Sequence, residues 1–213
     1  ERPCRILRSG CATDLFGSIY FGEYLSNQER SSIRIYHLPH DRDRLEIAYT
    51  FPAGTIRHVH GVYFDEYSHA LWCVTGNRQH ECQIVRTLDG FRSVETVGCG
   101  DESWRAASLQ FTKDAVFYGM DAEYQANRIY RIDRKMATQS PVAEVPGPVY
   151  YSTKSGNELF FAVTAELCPS QTDRGASLWH LGSDGDCTQI AWFPKDRYSV
   201  RYFMPGTLHF PQG

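Results

Sequence analysis

The chain has 213 residues, with 22 basic against 25 acidic side chains for a formal net charge of −3. That length suffices for one sizeable core. With no block of like charge beyond the alternation Asp41-Arg42-Asp43-Arg44, neither a nucleic-acid partner nor a membrane-surface role has electrostatic support. No stretch approaches the ~18 uninterrupted apolar residues of a membrane span, so a soluble chain without a span is expected; because residue 1 is Glu, processing of a leader stays open, and with it a secreted or periplasmic location.

The first element in chain order is an aromatic-rich run, Ile19-Tyr20-Phe21, followed by the triplet Ile35-Tyr36-His37 and a β-type run over 46–52. The same succession returns three times. A short run at 61–65 precedes Leu71-Trp72-Cys73, Ile84-Val85-Arg86 and 93–98; another at 107–112 precedes Val116-Phe117-Tyr118, Ile129-Tyr130-Arg131 and 141–146; a third at 149–153 precedes Leu159-Phe160-Phe161, Leu178-Trp179-His180 and 188–194. Turn-forming pairs such as Lys113-Asp114 and Asp89-Gly90 separate them.

The unit is thus four short strands, A to D, repeated with a period typical of a propeller blade. An all-β propeller of four-stranded antiparallel blades is expected over 1–213, with repeats at roughly 10–54, 55–100, 101–147 and 148–195 and a partial one at 196–213. Residues 201–210 read as a fifth A strand. Blade number stays open: residues 4–9 close a fifth blade, or 206–210 close the first and leave four, or the chain is a fragment of a longer propeller. The seven cysteines form no CxxC pair, and Cys82 with Cys99 is a candidate bridge.

In a propeller the D-to-A and B-to-C connections share one face, so ligand chemistry is expected there. His58-x-His60 is the sharpest feature, because residues i and i+2 of a strand project to one side. The pair has three readings: ligands for a divalent metal ion completed by His80 or Glu23, a general base, or hydrogen-bonding groups of a polar channel. Trp104 and Arg105 are candidate substrate-binding residues, Arg105 as a carboxylate clamp or as a tie between blades. Glu23 and Asp121 stand at corresponding B-strand ends, as a candidate carboxylate pair or as loop caps, and Glu166, in the fourth B-to-C connection, is a further candidate substrate-binding residue. Tyr151 is a candidate phenolic acid or nucleophile.

Several segments carry a family resemblance: Gly22-Glu23-Tyr24, Arg57-His58-Val59-His60-Gly61-Val62, Trp104-Arg105-Ala106 and Asn127-Arg128-Ile129-Tyr130-Arg131. Two degenerate Asp-boxes accompany them, Thr87-Leu88-Asp89-Gly90-Phe91 and Gly182-Ser183-Asp184-Gly185. With these the chain resembles the sialidase-like, Asp-box (BNR) repeat β-propellers of bacteria. The resemblance implies a propeller whose boxes are structural and whose partner is a glycan or other small polar ligand. The Arg-Ile-Pro signature of true sialidases is absent, Arg5-Ile6-Leu7 being the nearest approach. Two functions follow: a glycoside hydrolase or polysaccharide lyase acting on an acidic glycan, or a non-catalytic propeller that binds glycan or protein.

Overall fold

A computed structural model of the protein describes residues 4–7 and 9–211. Residues 1–3, 8 and 212–213, which the predicted domain includes, lie outside the described residues, and so does residue 8 of the candidate closing stretch 4–9. Regular structure among the described residues consists of β-strands and two 3₁₀ turns. The chain forms two compact units, Glu1–Ala106 and Ala107–Gly213.

The first unit holds two antiparallel four-stranded sheets in up-and-down order. One contains β1 (Cys11–Thr13), β2 (Ile19–Gly22), β3 (Ile33–Leu38) and β4 (Glu46–Phe51); the other contains β5 (His58–Asp65), β6 (Ala70–Gly76), β7 (Gln83–Thr87) and β8 (Glu95–Cys99). Alternation aims Ile33 and Ile35 inward from β3 while Arg34 stays at the surface. Those isoleucines pack with Tyr20 and Phe51 against Val59, Val62, Leu71 and Val85 of the second sheet. Each such fully buried side chain contributes roughly 1.5–3 kcal/mol. All seven residues of β6 are buried, as befits a strand inside its sheet and covered on both faces.

Glycine sets the spacing where β2 meets the next sheet. A Cβ on Gly22 would lie 2.4 Å from Val59 Cβ, and Val59 N donates to Glu23 O at 2.9 Å. Gly22→Ala is therefore expected to destabilise the first unit by about 1–3 kcal/mol through overpacking, read as a lower denaturation midpoint. An unchanged midpoint would show that the strands can part at no cost.

The β7–β8 hairpin is pinned by its own side chains. Thr87 Oγ1 donates to Asp89 Oδ1 at 2.8 Å and accepts from Phe91 N at 3.1 Å, while Ser93 N and Oγ donate to the Asp89 carboxylate. The Ser93 bonds, aided by Thr87, hold the Asp89 carboxyl down at about 2. Phe91, in the left-handed region at φ 71°, is driven into the core at 1% exposure.

The second unit repeats the plan. Its sheets are β9 (Gln110–Phe111), β10 (Ala115–Gly119), β11 (Arg128–Asp133) and β12 (Gln139–Glu144), then β13 (Val149–Ser155), β14 (Glu158–Val163), β15 (Gly175–Leu181) and β16 (Cys187–Pro194). Its core is Ile129, Val145, Val149, Leu159, Phe161, Val163 and Leu181. The Gly22 arrangement recurs here, Gly119 leaving room for Val149, whose Cβ would be 2.4 Å away.

Four expectations are corrected. The first sheet has an A strand of its own, β1, a three-residue strand without aromatic or β-branched signal until Thr13. No fifth A strand forms over 201–210: Gly206 makes a single bridge to Ala165, and Pro205, with no N–H, cannot extend a ladder. Among the described residues of 4–9, Arg5 makes an isolated bridge to Tyr24 rather than a strand. Cys82 and Cys99 do not bridge, because Cys99 pairs with Gln83, which puts Cys82 on the opposite face; Cys82 Sγ instead lies 3.2 Å from Arg78 O.

Candidate ligand-binding site

His58 and His60 begin β5 rather than sitting in the loop before it. His58 is paired with Gly76, Val59 with Thr75 and Gly61 with Val74, so His60 is the extra residue of a β-bulge, a device that re-aims a side chain. The two rings stay on one side, 5.1 Å apart between centroids, and are 4% and 3% exposed.

Their protonation follows from their partners. His58 Nδ1 lies 2.8 Å from Leu25 O and His60 Nδ1 2.8 Å from Ala106 O. A carbonyl only accepts, so each Nδ1 carries the proton and each Nε2 the lone pair. The Asn77 amide, oriented to satisfy both neighbours, donates to His58 Nε2 at 2.9 Å and accepts from Arg57 Nη1 at 2.7 Å. Burial, the His60 ring and the Arg57 and Arg105 guanidiniums push His58 down to about 3. Burial and Arg105 push His60 down to about 4. Both imidazoles are neutral at physiological pH.

Arg105 packs behind this pair. It is 9% exposed, 3.5 Å from Glu102 Oε1, and donates to Asn77 O at 3.4 Å. Gly76 makes its approach feasible: a Cβ there would lie 2.8 Å from both Arg105 Cγ and His60 Cε1. Trp104 lies over Gly98, whose added Cβ would fall 2.3 Å from the indole.

Beside His58, though not His60, opens a cavity of about 540 Å³ lined by Cys4, Arg5, Tyr24, Leu25, Ser26, Arg57 and His58. The Tyr24 ring stands 4.1 Å from His58. Arg5 reaches the cavity because its backbone bridges Tyr24, with N–O distances of 3.0 and 3.3 Å. Its guanidinium makes no hydrogen bond to any described residue. Cys4, Arg5 and Ser26 escaped sequence reasoning, since the first two lie before the repeats and nothing in the repeat pattern marks them.

Glu23 and His80 also belong to the first unit. Glu23 is fully buried and accepts from Arg34 N at 2.8 Å and Tyr36 Oη at 3.0 Å, capping the entry to β3. His80 is exposed and 3.8 Å from Glu81. Among the described residues no three His, Cys, Asp or Glu side chains are grouped to hold a metal ion, so His80 and Glu23 do not complete a shell around His58 and His60. Asp121, Tyr151 and Glu166 belong to the second unit. There Asp121 is buried, Glu166 half-buried, and the Tyr151 ring packs 4.5 Å from His209.

No family model and no curated protein matches the chain. Solved structures do resemble it. A chain of a nidogen/laminin complex shares 9% identity over 90% of this chain and 81% of its own, with a TM-score of 0.57. Puromycin hydrolase shares 11% over 92% of this chain and 30% of its own, TM-score 0.60. The GH74 enzyme of Niastella koreensis shares 12% over 85% and 29%, TM-score 0.61. The chain thus spans less than a third of the length of the latter two. At these identities the likeness is one of fold, and the class is plain: an all-β protein of the β-propeller fold, built of four-stranded antiparallel sheets.

Proposed function

We propose that this chain is a sialidase-like, Asp-box β-propeller whose first-unit cavity binds a small acidic glycan without turning it over. The observation that carries the reading is the pairing of two guanidinium residues, Arg5 and Arg57, with the Tyr24 ring and neutral His58 on one cavity. Guanidiniums suit a carboxylate, and the ring supplies apolar surface beside it. The side-chain lock at Thr87, Asp89 and Ser93 supports the Asp-box assignment.

The non-catalytic form is favoured because the His58 lone pair is occupied by Asn77, which makes that imidazole a positioning group. The hydrolase or lyase reading has one supporting observation, that both imidazoles are neutral and so in the form a base requires.

The test is calorimetric titration with D-glucuronate and N-acetylneuraminate. Arg5→Ala is expected to weaken binding at least tenfold, as loss of a charged hydrogen bond worth roughly 1.5–3 kcal/mol implies, and added salt is expected to weaken wild-type binding. Wild-type affinity indifferent to both Arg5→Ala and salt would refute the acidic ligand. Turnover that disappears in His58→Ala or His60→Ala would replace the binder by the enzyme.

A further inference from the structure

A second cavity in the first unit, of about 370 Å³, shares no lining residue with the first. It lies between β4 and the β7–β8 pair. Tyr49 and Phe51, two apart on β4, form one wall and meet edge to face at 4.9 Å. Gln83 and Thr96 face them from the other sheet, over a floor that includes Val85 and Val94. The volume falls within the roughly 300–1,000 Å³ of small-ligand sites.

Two properties define what it would take. First, the Tyr49 hydroxyl, the Gln83 carboxamide and the Thr96 hydroxyl make no hydrogen bond to any described residue, although Tyr49 and Gln83 are half-buried. Three neutral groups, each able to donate and accept, therefore surround an aromatic and aliphatic floor. Second, no Asp, Glu, Lys or Arg lines the cavity, and the His80 that also lines it is exposed to solvent. The neighbouring carboxylate, Glu81, is fully buried and paired with Arg30 at 2.5 Å. A charged ligand would lose hydration here without a permanently charged side chain on the lining to meet it.

We propose that this groove is a binding site for a neutral pyranose, distinct from the acidic-ligand cavity and independent of that reading. The Tyr49 ring, backed by the buried edge-on Phe51, covers the apolar C–H face of the sugar, while Gln83, Thr96 and the Tyr49 hydroxyl answer its hydroxyls. Small sites of this kind combine an apolar lining with a few orienting polar groups, and a tyrosine supplies both in one side chain.

Saturation-transfer NMR and calorimetry on the 213-residue chain, with methyl β-D-glucopyranoside and methyl β-D-galactopyranoside as probes, test this. At least one glycoside is expected to bind saturably, with saturation transferred from Tyr49 protons. Gln83→Ala and Thr96→Val, both at solvent-accessible positions, are each expected to weaken it about fivefold, one neutral hydrogen bond's worth. Tyr49→Phe keeps the ring and separates loss of the hydroxyl from loss of packing. No saturable binding of either probe through the millimolar range would overturn the proposal. So would wild-type affinity in the Gln83→Ala and Thr96→Val variants, or tighter binding of D-glucuronate than of the glycosides at this groove.

Discussion

Glu81→Ala is expected to destabilise the first unit by about 3–5 kcal/mol, the range for breaking a buried ion pair from one side. Glu81 is fully buried in the 3₁₀ turn Gln79–Glu81. It holds Arg30 Nε, whose side chain is 13% exposed, and accepts from Arg78 N at 3.2 Å. Removing the carboxylate leaves the Arg30 guanidinium, among the described residues, with the Asn27 and Gln28 carbonyls, at 3.2 and 2.9 Å. The pair also joins the loop after β2 to the turn after β6, so both connections should loosen together.

The comparison that isolates burial is Glu95→Ala. Its partner Arg86 is also within hydrogen-bond distance, at 2.8 Å, but the two side chains are 35% and 62% exposed, and a pair so screened contributes about 0–1 kcal/mol. Chemical denaturation followed by hydrogen exchange in β6 and β7 measures both. Equal losses in the two variants would mean that the Arg30–Glu81 pair is not the tie that its burial implies.

The second large effect is acid sensitivity between pH 7 and pH 4. Both His58 and His60 are held below the ordinary histidine value of 6.5, at about 3 and about 4, so as pH falls the unfolded chain takes up protons that the folded unit does not. Stability is therefore fully present above about pH 6.5. It is lost as pH falls toward 4 and levels off below the folded values. At 1.36 kcal/mol per pH unit, each imidazole accounts for roughly 2 kcal/mol by pH 5. Carboxylates such as Asp89, held at about 2, act only in more acid solution. His58→Gln is expected to halve the slope over this window. A wild-type denaturation midpoint that is flat from pH 7 to pH 5 would contradict the neutral, buried pair.

Much of the architecture was legible in the residues. The aromatic runs and the apolar-aromatic-basic triplets mark β2, β6, β10 and β14 and the strands that follow them, because strands covered on both faces need continuous apolar sequence. The hairpin at Asp89-Gly90 was legible from turn chemistry alone. The strand that failed owes its existence to a neighbour: β1 over Cys11–Thr13 forms on an already assembled B strand, whereas the two-residue β9 lies inside the run expected at 107–112. Residues 206–210 carried a good A-strand pattern, yet Gly206 forms an isolated bridge to Ala165 instead of a ladder.

The candidate site divides in the same way. That two histidines share one side of β5 follows from strand periodicity, although the bulge at His60 had no signal in the sequence. Their neutrality, their tautomers and the Asn77 contact depend on Leu25 O and Ala106 O, contributed by two distant segments, and on Arg57 beside His58. Glu23 was visible as a carboxylate at a strand end, and only packing turned it toward Arg34 and Tyr36. Periodicity and turn chemistry are local, so the sequence by itself determined the repeat, the strands and the end of the strands where polar groups gather. Burial and hydrogen-bond partnership are sums over residues distant in the chain, so the tertiary structure alone decided which of those groups cap loops, which stay neutral, and that Arg5 joins Arg57 at the cavity.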